Sequence, residues 1–217
     1  MQSKIKKVVF IIRKFMYIME IVFFVLFFWL LKNNILLKWI FIFGISLFLS
    51  LFFGRFYCGF ICPINTIFKP INFIYKKLNI KRFKAPKINV LRYVMLVAFI
   101  MLFVGTRLLK VKLNILLYVI GFATLITLFF EEEFWHKKLC PYGTLLTVGG
   151  KVAPLKLTID EKKCVSCGMC QKVCPTNTII TLENNKRKII AKECLMCFEC
   201  EKVCPVNAIH LKIKHID

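Results

Sequence analysis

Acid is scarce in this sequence: 217 residues hold 33 Lys and Arg against 11 Asp and Glu, a formal net charge of +22. Such an excess ordinarily points to nucleic acid, but no aromatic-basic recognition motif accompanies it and the basic residues flank apolar runs. No nucleic-acid partner is therefore expected, and membrane topology accounts for the charge. A secretory cleavage pattern is lacking too, since MQSKIKKVVFIIRKF is not followed by a short apolar core and a small-residue site. Eleven cysteines could still suggest a disulfide scaffold. Their spacings favour metal and a reducing compartment instead.

What the chain has in abundance is apolar surface, 59% hydrophobic residues and 23 phenylalanines. Four stretches approach the roughly 20 residues that a spanning helix needs: Phe15 to Leu31, Ile35 to Gly54, Ile88 to Thr106 and Leu113 to Phe130. Lys4, Lys6, Lys7, Arg13 and Lys14 precede the first, and nine Lys and Arg from Arg55 to Arg92 separate the second from the third. The opposite loops carry only Lys32 and Lys38, and Arg107, Lys110 and Lys112. Because Lys and Arg are retained on the cytoplasmic side, both termini are expected in the cytoplasm of an inner-membrane, multi-pass protein. Between Thr66 and Leu78, Ile67, Ile71, Ile74 and Leu78 recur at helical spacing among Lys69, Lys76 and Lys77. This reads either as an amphipathic helix on membrane lipid, beginning or kinking at Pro70, or as a basic loop that enforces topology.

After Gly149-Gly150 the composition turns polar, dividing a four-helix membrane domain (1–150) from a small cysteine-rich domain (151–217). The second contains CVSCGMCQKVCPTNTI at 164 and CLMCFECEKVCPVNAI at 194. Each half matches C-x2-C-x2-C-x3-C-P, the bacterial pattern for paired [4Fe-4S] clusters whose fourth cysteine serves the other cluster. Cluster one is then assigned Cys164, Cys167, Cys170 and Cys204, and cluster two Cys194, Cys197, Cys200 and Cys174. Zinc is the competing reading, but structural zinc sites use four ligands in two pairs rather than two four-cysteine runs. NTIITL and RKIIAK, joined by ENNK, read as a short hairpin. The expected fold is an α-helical membrane domain, built as a duplicated two-helix hairpin, followed by an α+β two-cluster bacterial ferredoxin-like domain.

The duplication is read from RFYCGFICPINTIF at 55 and EFWHKKLCPYGTLL at 133. Cys58 aligns with His136, Cys62 with Cys140 and Pro63 with Pro141 at a constant offset, and each copy, within 54–68 and 132–146, follows a pair of apolar stretches. Pseudo-symmetric pairing would bring Cys58, Cys62, His136 and Cys140 together, a donor set suited to zinc or to a third iron–sulfur cluster. The competing reading is that they are buried cysteines packing as small hydrophobes. Glu20 in the first stretch is either a proton acceptor or a group near the inner interface. Glu131, Glu132 and Glu133 are expected to balance nearby lysines, and His210 and His215 to be solvated.

Four apolar stretches, C-x3-C-P after the second, CP-x-G-T after the fourth and a C-terminal pair of cluster motifs together resemble the NapH/NosR-type membrane ferredoxins, in their short NapH-like form. The resemblance covers nearly the whole chain. It implies electron flow between the quinone pool and a redox protein partner. The eight cluster cysteines match the family pattern, whereas His136 stands where a second C-x3-C-P would have cysteine. The expected function is thus a membrane-anchored component relaying single electrons through two cytoplasmic [4Fe-4S] clusters, to or from a quinone or a membrane partner, not a stand-alone enzyme. The alternative is a redox assembly or maturation factor, because exposed thiolates can exchange or deliver a soft metal.

Overall fold

The computed structural model describes residues 2–33, 35, 38–86, 88, 90–109 and 114–213, with the backbone alone for 2–13. Lys110, Lys112 and His215 lie outside the described residues. The helical part runs α1 (Gln2–Lys32), α2 (Trp39–Phe53), α3 (Phe56–Phe60), α4 (Pro63–Lys77), α5 (Leu91–Leu108), α6 (Ile115–Phe129), α7 (Glu132–Phe134), a π-helical turn (Trp135–Leu139) and α8 (Pro141–Val152). Of the four stretches expected to span, Lys14–Lys32 and Leu91–Leu108 are long and apolar enough to do so. Helices α2 and α6 have 15 residues each. At about 1.5 Å per residue they reach roughly 22 Å, short of a hydrocarbon core of about 30 Å. Helix α2 stops where Gly54 turns left-handed, at φ 63°.

The two motif copies make the same turn at their Cys-Pro because the residue before proline is driven out of the helical region. Cys62 sits at φ −69°, ψ 117° and Cys140 at φ −69°, ψ 112°, each followed by proline in the first turn of α4 or α8. In both copies the cysteine N–H donates to a carbonyl five residues back, Cys62 to Tyr57 at 2.9 Å and Cys140 to Trp135 at 2.8 Å. Helix α4 begins at Pro63 and continues through Pro70, an earlier start than the apolar spacing alone indicates. It buries Ile64, Asn65 and Phe68 and exposes Phe73, Ile74 and Leu78.

Packing makes the duplication visible in three dimensions. Helix α4 contacts α1 of its own copy and α6 of the other, and α8 contacts α5 of its own copy and α2 of the other. The shared core gathers Phe27, Trp39, Phe43, Phe68, Trp135 and Leu146. Away from that core the helices present apolar side chains outward, and α5 buries none of its residues.

The remaining part is α+β. Strand β1 (Leu155–Ile159) pairs antiparallel with β4 (Ile209–Ile213), Leu155 opposite Ile213, and β2 (Ile179–Thr181) with β3 (Arg187–Ile189), Ile179 opposite Ile189. The second pair is the hairpin expected from NTIITL and RKIIAK. Short helices α9 (Met169–Val173) and α10 (Glu199–Lys202) follow the cysteine loops, and a 3-10 turn (Ala191–Glu193) precedes Cys194.

Candidate metal centres

Two cavities occupy the α+β part. One is lined by Cys164, Cys167, Cys170 and Cys204, the other by Cys174, Cys194, Cys197 and Cys200. Each therefore takes three thiols from one half and the fourth from the other half. The loops that carry them repeat in backbone as well: Ser166 and Met196, Gly168 and Phe198, and Asn177 and Asn207 are all left-handed. Phe198, at φ 58°, adopts a conformation that bulky residues avoid unless their surroundings impose it. Among the described residues no three His, Cys, Asp or Glu side chains converge closely enough for one metal ion. Thiols that line a cavity without meeting at a point suit a polynuclear cluster better than zinc, which needs its sulfurs about 2.3 Å from a single centre.

The cavities differ in setting. Cys167 of the first is exposed, beside exposed Val165 and Met169, and Arg187 is in its lining. The second, the inner cavity, faces the helical part. Burial pushes the Cys194 thiol up to about 11 and raises Cys197 and Cys200 further. Such thiols shed their protons only to a cation, so metal loading and proton release are linked. The Cys194 sulfur accepts from Met196 N–H at 3.5 Å, Cys204 from Ala208 N–H at 3.3 Å, and Cys174 meets the Thr178 hydroxyl at 3.3 Å.

In the helical part Cys58, Cys62 and Cys140 are buried within electrostatic reach of one another. Burial, then Cys58, raises Cys140 to about 12, and burial, then Cys58 and Cys140, holds Cys62 well above its usual range. His136 is buried as well, and its Nε2 has no hydrogen-bond partner. Its ring lies edge-on to Phe68 at 5.6 Å, and burial, then Arg55, lowers it to about 3. The structure thus puts the three thiols within electrostatic reach of one another without converging them on one point, and what His136 shares with Cys58 and Cys140 is Arg55.

Arg55 opens the first motif copy. It is 0% exposed, its Nη1 donates to Glu193 Oε2 at 3.1 Å, and its Nη2 donates to the His136 carbonyl at 3.2 Å. Arg92 grips the other Glu193 oxygen, Oε1, at 2.9 Å. A Cβ at Gly143 would fall 2.5 Å from Arg55 Nη2, so glycine there makes room for the guanidinium. Glu133, aligned with Arg55 in the second copy, pairs with Lys137 at 2.8 Å and accepts from Asn177 at 2.7 Å. A Cβ on Gly59 would lie 2.5 Å from the Leu195 carbonyl, so the first copy packs directly on the inner cysteine loop. The signal available in the sequence was a charge at one register of both copies, Arg55 and Glu133. Glu20 pairs with Lys69 of α4 at 2.5 Å and accepts from Thr66 at 3.1 Å.

Residues 35–81 match a model for a 4Fe-4S binding domain and residues 156–205 one for a 4Fe-4S dicluster domain. The chain is 28% identical over 152 residues to the ferredoxin-type protein NapH of Haemophilus influenzae, covering 63% of this chain and 53% of that protein. It is 29% identical over 143 residues to the methylamine utilization ferredoxin-type protein MauN of Methylobacillus flagellatus, covering 59% and 50%. A third relative, YccM of Escherichia coli, named as a candidate electron transport protein, is 27% identical over 154 residues, covering 59% and 43%. The chain spans about half the length of the curated relatives it matches. The chain thus carries two regions of the 4Fe-4S binding kind. Over 59–63% of its length the chain is similar to these ferredoxin-type proteins of the NapH-like kind.

Proposed function

We propose that this protein is anchored in the cytoplasmic membrane by four helices and relays single electrons between a quinone, or a membrane partner, and a redox protein. The observation that carries the reading is the pair of cavities lined by four thiols each, one beside exposed Cys167 and the other packed on the helical part. Cys164, Cys167, Cys170 and Cys204 would hold one [4Fe-4S] cluster, and Cys174, Cys194, Cys197 and Cys200 the other. A bound cluster supplies one-electron storage. The chain's own residues wrap each cavity, bury Cys194 and Cys200 in the inner one and donate hydrogen bonds to the sulfurs. Outward apolar side chains on α1 and α5, and basic α4 with Phe73 and Ile74 exposed, support contact with lipid. The lysine and arginine distribution supports a cytoplasmic ferredoxin domain.

The test is anaerobic purification followed by mixing with a quinol. The expected result is about eight irons per chain and reduction of both clusters. Clusters that no quinol reduces or quinone reoxidises would remove the quinone from the proposal, and a chain without acid-labile sulfide would end it.

A third redox site is favoured by one observation, the three buried thiols of Cys58, Cys62 and Cys140 beside unpartnered His136 Nε2. Iron above eight that disappears in Cys140→Ala would establish it. Equal iron in both proteins limits the chain to two clusters.

A further inference from the structure

A guanidinium stripped of water is costly and is retained only where partners fix it. Arg55 and Arg92 between them occupy both oxygens of Glu193, the residue before Cys194, and Arg92 Nη2 also donates to Thr147 at 3.1 Å. Two cations against one carboxylate leave a net positive charge wedged between α2, α5 and α8 on one side and the inner cavity on the other. Arg55 lies within electrostatic reach of Cys194, and of Cys58 and Cys140. The cavity beside Cys167 has half-buried Arg187, whose Nη2 donates to the Ser166 carbonyl at 3.3 Å and Nη1 to the Asn185 carbonyl at 2.8 Å, and Lys186, whose Nζ donates to the Cys164 carbonyl at 2.6 Å. The potential of an iron–sulfur centre follows the net charge, hydrogen bonding and solvent exposure around it. A fixed cation in a dry site favours an added electron far more than one in water.

We propose that Arg55, held by Glu193 and joined by Arg92, is a positioning charge that raises the reduction potential of the inner cluster. The inference relies on the assignment of Cys174, Cys194, Cys197 and Cys200 to one cluster. One electron is taken up, and no bond or proton changes place.

The experiment is EPR-monitored redox potentiometry on the full chain in detergent, comparing wild type with Arg55→Gln, Arg55→Lys and Glu193→Gln. The outer signal is identified as the one that Cys204→Ala removes. Arg55→Gln, which leaves Glu193 paired with Arg92, is expected to lower the inner potential, and Glu193→Gln to raise it. Arg55→Lys should stay near wild type, with the outer potential unmoved throughout. Structural damage would move the two neutralising variants in the same direction, and that result overturns the proposal. Equal shifts at both clusters, no shift, or loss of clusters from every variant overturn it as well. Wild type with a single cluster signal instead overturns the two-cluster reading beneath it.

Discussion

In the α+β part, residues 164–179 and 194–209 repeat cysteine for cysteine, and even the left-handed positions recur. In the helical part, residues 55–68 and 133–146 share the turn at Cys62 and Cys140 and the proline-led helix after it, yet α3 stands against a π-helical turn, Arg55 against Glu133, Tyr57 against Trp135 and Cys58 against His136. The difference follows from what each duplication shares. The ferredoxin halves exchange a thiol, so a change in either half damages a cavity built by both. The helical copies exchange a packing surface, α4 on α6 and α8 on α2, which accepts different side chains as long as the proline-led turn survives.

The contrast can be broken most forcefully at the exchanged thiol. Cys204→Ala should cost the cluster that Cys164, Cys167 and Cys170 would share, leaving about four of about eight irons, as iron and sulfide analysis would show. Loss of the other cluster would mean that each half is self-contained. Next comes the docking charge: Glu193→Ala leaves Arg55 buried beside Arg92 without a carboxylate. A loss on the order of 3–5 kcal/mol in detergent unfolding is expected, against little for Lys202→Ala, whose pair with Glu199 is exposed.

A third test uses Glu132, which the second copy places where the first has Gly54. Burial raises its carboxyl to about 7, outweighing Arg82, Lys76 and Lys69, from an ordinary value of 4.5. Between those values the folded chain keeps a proton that the unfolded chain has lost, so stability falls as pH rises through the window. Glu132→Gln should flatten thermal stability between pH 5 and pH 8, recovering on the order of 3 kcal/mol at the upper end. An unchanged slope would assign the pH dependence elsewhere. The smallest effect separates the aromatic pair. Trp39 Nε1 donates to the Tyr57 hydroxyl at 2.9 Å, whereas the buried Trp135 Nε1 has no hydrogen-bond partner. Trp39→Phe should cost about 1–3 kcal/mol and Trp135→Phe less, since only the first strands a buried polar group.

Much of the candidate site was legible because its grammar is local. C-x2-C-x2-C-x3-C-P names the thiols that line each cavity, the crossed fourth included, through spacing, and Cys-Pro fixes the turn before α4 and α8 through sterics. Glu133 does balance a lysine, Lys137, as its neighbourhood suggested, but its contact with Asn177 lies 44 residues away in sequence. Helix length was less legible: the apolar run from Ile35 to Gly54 exceeds α2, because hydropathy does not say where hydrogen bonding begins.

By itself the sequence determined the eight-cysteine framework, the two duplications and the turns at Cys62 and Cys140, since each depends on neighbours a few residues apart. Only the tertiary structure decided that the inner cavity lies against the helical part, that Arg55 and Arg92 meet on Glu193, and that His136 turns its ring to Phe68. Those partners are separated by up to 138 residues. Burial selects such pairings, because a charge taken from water must find its counterion wherever the folded chain supplies one.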